Sequence, residues 1–231
     1  MILQMKDASS GPNVDLVICK DGSHTLKLKD SDEHYHSTHG ALEESRFVYL
    51  KNGLELFKNK PSLSILEVGF GTGMNALLSE IWAGSGISKI NYTAYEPYPI
   101  AEDVWRSLNY PDLLGGGTPS VHSAFYECPW EMEVGISAHF RLLKLQQKIE
   151  VLDKTDSYDL IYFDAFGPET QPELWTKELF QKMFRACKKG AILVTYCAKG
   201  QVRRDLQEVG FEVERLSGPP AKRHMLRARK K

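Results

Sequence analysis

Residues 62–83, SLSILEVGFGTGMNALLSEIWA, decide the fold of this 231-residue chain. Residues 64–68 are a short, mostly apolar run of the kind that forms a buried strand. Gly69-Phe-Gly-Thr-Gly73 follows at once, and residues 74–82 carry apolar side chains at helical spacing. Strand, glycine loop and helix in this order predict the first βα turn of a nucleotide-binding α/β fold. Glycines suit such a turn because a Cβ would hold the backbone away from the ligand.

The spacing of the glycines narrows the choice of ligand. A dinucleotide-binding loop reads G-x-G-x-x-G and places a pyrophosphate on the helix N-terminus. This loop reads G-x-G-x-G and follows Glu67. The pattern E-x-G-x-G-x-G resembles motif I of S-adenosylmethionine-dependent methyltransferases, which implies cofactor contacts from Glu67, Gly69, Gly71, Gly73 and Asn75. NAD, another nucleotide, or a glycine turn without a ligand are the alternatives.

Composition and charge limit the class of protein further. A chain of this length suits one α/β domain with small additions. The net charge is −1, so any contact with nucleic acid would need local patches of positive charge. The four cysteines form no C-x-x-C pair, which argues against a zinc ribbon or a disulfide framework and favours a reducing cytoplasm. No signal peptide and no apolar run of about 20 residues is present, so we predict a cytoplasmic protein without membrane contact.

The residues before the glycine loop predict an accessory extension, residues 1–60, made of a hairpin and a helix. Residues 1–12 carry no clear pattern, while residues 14–19 and 25–28 are β-prone and flank an Asp-Gly turn signal. Residues 41–58 predict one amphipathic helix. Its expected apolar face consists of Phe47, Leu50, Leu54 and Phe57. Glu44 lies in the first turn, and we interpret it as a charge that favours the helix dipole and nothing more.

Residues 30–40 are the most polar segment, with three histidines among three acids. His34, His36 and His39 lack the i, i+4 spacing of helical metal ligands, and no H-E-x-x-H occurs. A solvated loop that gates a substrate cleft is therefore favoured over a metal site.

A second strand is predicted at residues 90–95, and Glu96 follows it. In folds of this kind an acid at the end of the second strand hydrogen-bonds the ribose hydroxyls. We therefore predict Glu96 as the ribose ligand, with an ordinary strand-end carboxylate as the alternative. Residues 99–108 predict a helix with proline at its start. Residues 110–150 show little pattern apart from a strand at 140–145.

A buried strand at residues 158–163 runs straight into Asp164-Ala-Phe166-Gly-Pro168. Ligands of doubly wound sheets bind beyond the carboxyl ends of the strands, so Asp164 is expected to face the same crevice as the glycine loop and to contact the cofactor there as well as the substrate. The stretch resembles the D/N-P-P-Y/F motif of amino-group methyltransferases. An amine must be neutral to attack a methyl sulfonium, and Asp164 could accept its hydrogen bond and hold its lone pair in line. Phe166 could stack on a flat substrate ring and Pro168 could stiffen the loop; a strand-end acid beside a core phenylalanine is the alternative.

The C-terminal third predicts further α/β units. Residues 171–184 predict a helix, with Trp175 interpreted as core packing rather than a platform for base stacking, and Gly190 as a glycine C-cap. Residues 191–197 predict a strand and residue 199 onward a helix. Residues 211–216 and 222–229 then predict an antiparallel hairpin, a feature that separates methyltransferases from dehydrogenases and disfavours NAD.

Positive charge concentrates after residue 199. Lysine and arginine bind phosphates without reading base sequence. Four of these residues are expected at loops that rim the site, where we predict contacts to an RNA backbone: Lys199, Arg203, Lys222 and Arg223. The last four basic residues, near the C-terminus, fit a solvated surface as well as they fit a contact with RNA.

Several stretches together resemble the MnmC-type methyltransferase domain. The match runs in order from about residue 15 to the C-terminus. Its segments are residues 35–46 (YHSTHGALEESR), residues 69–75, residues 164–168 with Trp175, QVRR at 201–204 and GPPAKRHM at 218–225. The resemblance implies methylation of the 5-aminomethyl group on the wobble (2-thio)uridine of tRNA, giving 5-methylaminomethyl-(2-thio)uridine. It also implies substrate or RNA contact by Tyr35.

In many bacteria this domain is fused to an FAD-dependent oxidase. The present chain has no such half, so it resembles the stand-alone version, sometimes called MnmD. We therefore expect S-adenosylmethionine as cofactor, neither FAD nor a metal, and tRNA as partner. No obligate protein partner is predicted, although a separate oxidase can work with the chain.

Two positions depart from the family pattern. The family usually carries an acidic Gly-Asp turn after the third strand, which helps hold the adenine, and no such pair occurs here; Glu150 or Asp153 could replace it. His224 also stands where an acid is expected, which puts the substrate fit near the C-terminal loop in doubt.

The sequence thus predicts a Rossmann-like α/β methyltransferase domain over residues 61–231, with a mostly parallel sheet and a final antiparallel hairpin. Methylation of a small-molecule amine, or a non-catalytic RNA-binding module of the same fold, are the functional alternatives.

Overall fold

The computed structural model of the chain describes residues 11–85, 89–115 and 118–231. Eight strands form the central sheet, in the spatial order β5-β6-β4-β3-β7-β8-β10-β9. Their bounds are β3 (Ser62–Val68), β4 (Lys89–Tyr95), β5 (Glu133–Gly135), β6 (Phe140–Leu145), β7 (Tyr158–Phe163), β8 (Cys187–Thr195), β9 (Glu212–Ser217) and β10 (His224–Arg229).

The five central strands β6, β4, β3, β7 and β8 run parallel. β10 is antiparallel to both β8 and β9, which confirms the predicted hairpin at the end of a parallel sheet. A short strand that the sequence did not predict, β5, adds an antiparallel edge beside β6.

Helices connect and cover these strands. They are α1 (Ala41–Ser45), α2 (Met74–Gly84), α3 (Glu102–Arg106), α4 (Tyr110–Leu114), α5 (Thr118–Glu127), α6 (Lys177–Ala186) and α7 (Gly200–Glu208). No helix in the described ranges has the length and apolar composition needed to cross a membrane.

The N-terminal hairpin is confirmed as β1 (Val14–Ile18) and β2 (His24–Leu28), which pair antiparallel in a separate two-stranded sheet. The expectation for residues 1–12 concerns mainly residues 1–10, which lie outside the described part. Leu26, Val48 and Leu54 of this N-terminal region pack in the same core cluster as Leu63 and Ile65 of β3. The extension therefore shares a core with one face of the sheet.

The single helix predicted over residues 41–58 is wrong in detail. α1 passes into a π-helical segment, Arg46–Lys51, and after Gly53 a separate 3₁₀ turn covers Leu54–Phe57. The side-chain amide of Asn52 donates to the carbonyl of Phe47 at 2.8 Å and ends the helix. The wider π turn changes which side chains face inward. Val48 and Tyr49 are buried, whereas the predicted face is only half-buried except for Leu54.

Three other predicted boundaries are also wrong. The helix predicted over residues 99–108 is limited to Glu102–Arg106. The helix predicted from residue 171 begins at Lys177, because Thr176 caps it by accepting from the amide of Leu179, while Pro172–Leu174 forms a 3₁₀ turn. Gly190 is no C-cap: it lies within β8, with φ +81°, and its amide donates to the carbonyl of Lys230.

Strand β3 shows how the fold positions its site. Successive side chains of a strand point to opposite faces, so Leu63 and Ile65 enter one core cluster, and Leu66 and Val68 enter the other. Glu67 therefore shares the face that the N-terminal extension covers. The glycine loop starts where this doubly covered strand ends, at the carboxyl edge of the sheet.

Candidate active site

A cavity of about 740 Å³ lies at the carboxyl edge of β3, β4 and β7. Each of these three strands contributes the residues that follow it: Gly69 and Gly71 after β3, Glu96 after β4, and Asp164 and Phe166 after β7. The N-terminal segment closes one wall and Lys222 of the β9–β10 turn closes another. The prediction that Asp164 faces the same crevice as the glycine loop is confirmed, and Glu96 lines that crevice too.

The three glycines of the loop have a left-handed backbone, which residues with a side chain rarely adopt. Gly69, Gly71 and Gly73 have φ values of +88°, +50° and +77°. A Cβ on Gly69 would lie 2.7 Å from the carbonyl oxygen of Asp164, and one on Gly71 would lie 3.1 Å from the Tyr35 ring. Gly73 packs under Phe70 at the start of α2 and does not line the cavity. Two of the three glycines therefore reach the space where a ligand would lie.

Glu96 is held in place by backbone amides. Its carboxylate accepts from the N–H of Gly71 at 3.0 Å and from the N–H of Tyr98 at 2.9 Å. Burial nevertheless raises the pKa of Glu96 to about 7, and these two hydrogen bonds only partly oppose the effect. A fixed carboxylate at this edge can accept hydrogen bonds from a pair of hydroxyl groups.

Asn75 of α2 bridges two carboxyl groups. Its side-chain nitrogen donates to Glu67 Oε1 at 3.0 Å and to Asp164 Oδ2 at 2.7 Å. Burial raises the pKa of both carboxyls, that of Glu67 well above its usual range. Asp164 and Asn75 line the cavity, whereas Glu67 is fully buried behind them. The structure thus places Glu67 as a support for Asn75 rather than at the cavity surface.

Two residues that the sequence analysis did not single out for the site stand beside Asp164. The hydroxyl of Tyr49 is fully buried next to Asp164 without completing a hydrogen bond of normal geometry. His36 is buried, its Nε2 lies 2.9 Å from Thr72 Oγ1, and its ring favours the ionised form of Asp164. The expectation of a solvated loop is therefore wrong at His36. Tyr49 does not lie on the apolar face that a regular helical period predicts for residues 41–58, so the periodicity gave no signal for it.

Aromatic rings form one side of the cavity. Tyr35 and Phe166 meet edge to face, with centroids 5.0 Å apart at 78°. Trp175 is buried and its indole N–H donates to the carbonyl of Phe166 at 2.8 Å, so its interpretation as core packing is confirmed. Pro168 does not line the cavity. The wall can receive a flat ring against Tyr35 and Phe166.

Glu44 is the clearest correction to the sequence analysis. Instead of a surface charge in a first turn, it is 5% exposed and lines the cavity. Its Oε2 accepts from the amide of Ser37 at 2.8 Å, and its Oε1 lies 2.5 Å from Lys222 Nζ. Lys222, predicted to contact phosphate, is therefore engaged inside the protein.

The other predicted RNA contacts lie outside the cavity. Lys199 forms an ion pair with Glu169, and Arg203 and Arg223 are exposed. Of the two acids considered for the adenine, Glu150 lines the cavity and Asp153 does not. Within the described residues no group of three or more His, Cys, Asp or Glu side chains could hold a metal ion.

Comparisons with known proteins agree with this architecture. Residues 130–231 match a family model described as S-adenosyl-L-methionine-dependent methyltransferase. The chain is 31% identical over 214 residues to a protein of Delftia acidovorans named tRNA 5-methylaminomethyl-2-thiouridine biosynthesis bifunctional protein MnmC, covering 85% of this chain and 32% of that protein. The protein of the same name from Chromobacterium violaceum is 32% identical over 205 residues, with coverages of 83% and 31%. The chain thus spans about a third of the length of these curated relatives.

Solved structures give the same result for the fold. MNMC2 from Aquifex aeolicus superposes with a TM-score of 0.77 at 25% identity, covering 95% of this chain and 71% of that one. Spermidine synthase from Thermotoga maritima superposes at 0.64 with 14% identity, covering 99% and 72%; this likeness concerns the fold alone. The Rossmann-like methyltransferase fold and the MnmC-type resemblance are confirmed.

Proposed function

This chain is related to the methyltransferase region of MnmC-type proteins, and from that premise we propose that it methylates the 5-aminomethyl group of the wobble (2-thio)uridine in tRNA. The observation that carries the proposal is the position of Asp164. It is a carboxyl of raised pKa at the cavity, fixed by Asn75 and flanked by an aromatic wall. A methyl transfer to an amine needs such a group to take up the proton that the nitrogen loses.

The cofactor of the proposed reaction is S-adenosylmethionine, which supplies an electrophilic methyl group when bound. The residues present fit it: Gly69 and Gly71 line the cavity with backbone alone, and Glu96 offers a fixed acceptor for ribose hydroxyls. The cofactor contacts proposed from Gly73 and Glu67 are indirect, through Phe70 and Asn75 respectively. We propose that the reaction uses neither FAD nor a metal.

Asp164 accepts a hydrogen bond from the substrate nitrogen in the proposed reaction, takes its proton, and orients the lone pair that remains. Asn75 keeps the carboxyl in position from the opposite side. Tyr35 and Phe166 hold the pyrimidine ring and exclude water from the nitrogen. Pro168 contributes only through the shape of the loop. Alignment and desolvation of the amine would supply most of the rate enhancement.

Contact with tRNA is proposed for three cations that do not line the cavity, Lys199, Arg203 and Arg223. Arg203 and Arg223 are exposed, and Lys199 is paired with the exposed Glu169. Lys222 would reach a phosphate after leaving Glu44. We propose that residues 61–231 carry the reaction and that residues 1–60 cover the substrate side. A cytoplasmic location and cooperation with a separate FAD-dependent oxidase are parts of the same proposal.

The deciding experiment is methyl transfer from labelled S-adenosylmethionine to tRNA from cells that lack this activity. The wobble nucleoside is then identified by mass spectrometry. The expected product gains one methyl on the aminomethyl nitrogen. Asp164→Asn, which cannot take up a proton, should lower the rate about 100-fold or more and leave S-adenosylmethionine binding within a few-fold. Asp153→Asn, at an exposed position outside the cavity, is the matched control.

A retained rate in Asp164→Asn would refute the role of Asp164, and no transfer by the unaltered chain with cofactor bound would refute the substrate. In the second case a small-molecule amine becomes the candidate substrate. The ion pair of Lys222 with Glu44 favours this alternative, because it removes one of the predicted phosphate contacts. A salt titration separates the two, since phosphate contacts make RNA affinity fall steeply with salt.

A further inference from the structure

We propose that Glu44 and the ring of Tyr196 form an ammonium subsite in the wall of the cavity, occupied by the side chain of Lys222 in this structure and by the protonated substrate amine when it binds, before Asp164 takes its proton. The identity of that amine depends on the proposed function, but the existence of the subsite does not. Glu44 would act as a specificity residue that selects a positively charged alkylamine.

The first argument is the burial of Glu44. Its side chain is 6% exposed, yet among the described residues Oε1 has no donor near it other than Lys222. A carboxylate removed from water is costly unless a cation or several hydrogen bonds compensate for it. The amide of Ser37 compensates only Oε2. The remaining oxygen therefore defines a position that favours a cation.

The second argument is the chemical nature of the group now in that position. Lys222 Nζ, a primary ammonium, lies 2.5 Å from the carboxylate of Glu44 and 3.9 Å from the centroid of the Tyr196 ring. A carboxylate together with an aromatic face is a combination that binds alkylammonium groups. An aminomethyl group in its protonated form is also a primary ammonium on a short carbon chain. Lys222 thus shows which chemical group the subsite accepts.

Tyr49 and Tyr196 connect the subsite with Asp164. The buried hydroxyl of Tyr49 stands beside Asp164 without a hydrogen bond of normal geometry to any described residue, and it lies within electrostatic reach of Glu44. Tyr196 in turn donates from its hydroxyl to the carbonyl of Ala165, next to Asp164. An amine bound at Glu44 therefore lies in the same cavity as the carboxyl that would take up its proton, and within its electrostatic reach.

The fourth argument is that Lys222 can leave. It belongs to the turn between β9 and β10, where its amide donates to the carbonyl of Pro219 at 2.9 Å and the neighbouring Ala221 and Arg223 are exposed. Its side chain is 32% exposed, in contrast with the buried Glu44. A phosphate near this turn would offer Lys222 a new anion, while the arriving amine replaces it at Glu44. The number of ion pairs is then conserved.

The subsite is tested without tRNA by emptying it. In Lys222→Ala, n-butylammonium chloride is titrated while the midpoint of chemical unfolding is measured, because a ligand that binds only the folded state raises stability with its concentration. We expect a saturable rise in Lys222→Ala and none in the Glu44→Gln/Lys222→Ala double variant. A rise of equal size in the double variant, or with uncharged n-butanol, would overturn the proposal, as would no rise at all.

The catalytic consequence is tested with Glu44→Gln. Glutamine keeps an acceptor for the Ser37 amide but loses the charge, so kcat/KM for tRNA should fall about ten- to hundredfold, the loss expected for one hydrogen bond to a charged group. The dissociation constant for S-adenosylmethionine should stay unchanged. Glu43→Gln, at the exposed neighbouring position, is the matched control and should keep the full rate.

Wild-type kcat/KM in Glu44→Gln would remove Glu44 from substrate recognition. If the unaltered chain transfers no methyl to tRNA, the proposed substrate fails, whereas the butylammonium titration still decides whether the subsite exists. The two proposals can therefore fail separately.

Discussion

Replacing Glu96 with glutamine is expected to stabilise the folded chain at pH 8 much more than at pH 5. Burial at the end of β4 raises the pKa of Glu96 from 4.5 to about 7 despite the amides of Tyr98 and Gly71. One pKa unit corresponds to about 1.4 kcal/mol, so the ionised carboxylate costs about 3 kcal/mol of folding free energy above pH 7.

The sign follows from the direction of the pKa shift. The folded chain holds the proton of Glu96 more tightly than the unfolded chain. The contribution of Glu96 to stability is therefore most favourable below pH 4.5, declines as the pH rises towards 7, and is constant above that value. Glutamine does not titrate. The stability lost because its amide is a weaker hydrogen-bond acceptor is therefore the same at every pH.

The assay is urea denaturation of both chains in steps from pH 5 to pH 8.5. The free energy of unfolding of Glu96→Gln minus that of the unaltered chain should grow by about 2 kcal/mol across this interval. Other titrating groups cancel in the difference if they are independent of Glu96. Glu55→Gln, at an exposed position of the 3₁₀ turn, is the control. A difference that stays constant with pH would refute the reasoning that burial dominates the environment of Glu96.

Two further predictions concern stability. Gly69→Ala should unfold the chain or cost several kcal/mol, since its Cβ would lie 2.7 Å from a backbone oxygen at φ +88°. Gly84→Ala should be neutral or slightly stabilising in thermal unfolding, because among the described residues nothing outside its own helix backbone and chain neighbours comes within 4 Å of the added Cβ. Asp159→Ala should cost about 3 kcal/mol at pH 7, because Asp159 is 3% exposed and binds Lys60, Lys188 and the Ser64 amide. Burial opposes its ionisation but these partners lower its pKa, so the cost should shrink as the pH falls through that pKa; a cost that persists unchanged at pH 3 would contradict this account.

The centre of the fold could be predicted because its signals are local. Residues 62–83 show their strand, loop and helix within one stretch, and the structure places them as β3 and α2. Asp164 and Glu96 could be predicted because each directly follows a buried strand. A parallel sheet brings such positions to one edge whatever the rest of the chain does. Sequence reasoning therefore identified the residues that the sheet itself positions.

The residues around Glu44 could not be predicted in the same way. Its burial depends on Ser37, which precedes the helix, and on Lys222, which lies near the other end of the chain. A π-helical segment also changes the phase of the helix. Val48 and Tyr49 therefore face the core instead of the residues that a regular 3.6-residue period would place there. Propensity and periodicity describe neither effect, because the first depends on contacts between segments distant in sequence and the second on a turn wider than the regular helical period.

Helix boundaries were wrong for a related reason. The stretch from residue 171 has helical composition, but Thr176 offers a better N-cap than Gln171 and the indole of Trp175 is held by Phe166. The boundary was set by side-chain hydrogen bonds that compete with one another, which a count of apolar positions does not contain.

The position of β10 in the sheet has a consequence for how the protein is made. β10 lies between β8 and β9, although it is the last strand of the chain. While a ribosome is still adding residues 224–229, both neighbours have an edge without its partner, and such edges are where chains pair wrongly with one another. The turn that brings in β10 also carries Lys222, so the cavity wall at Glu44 is completed in the same late step. Protein synthesis therefore delivers the glycine loop well before residues 218–229, and the site is finished only when these residues have been added.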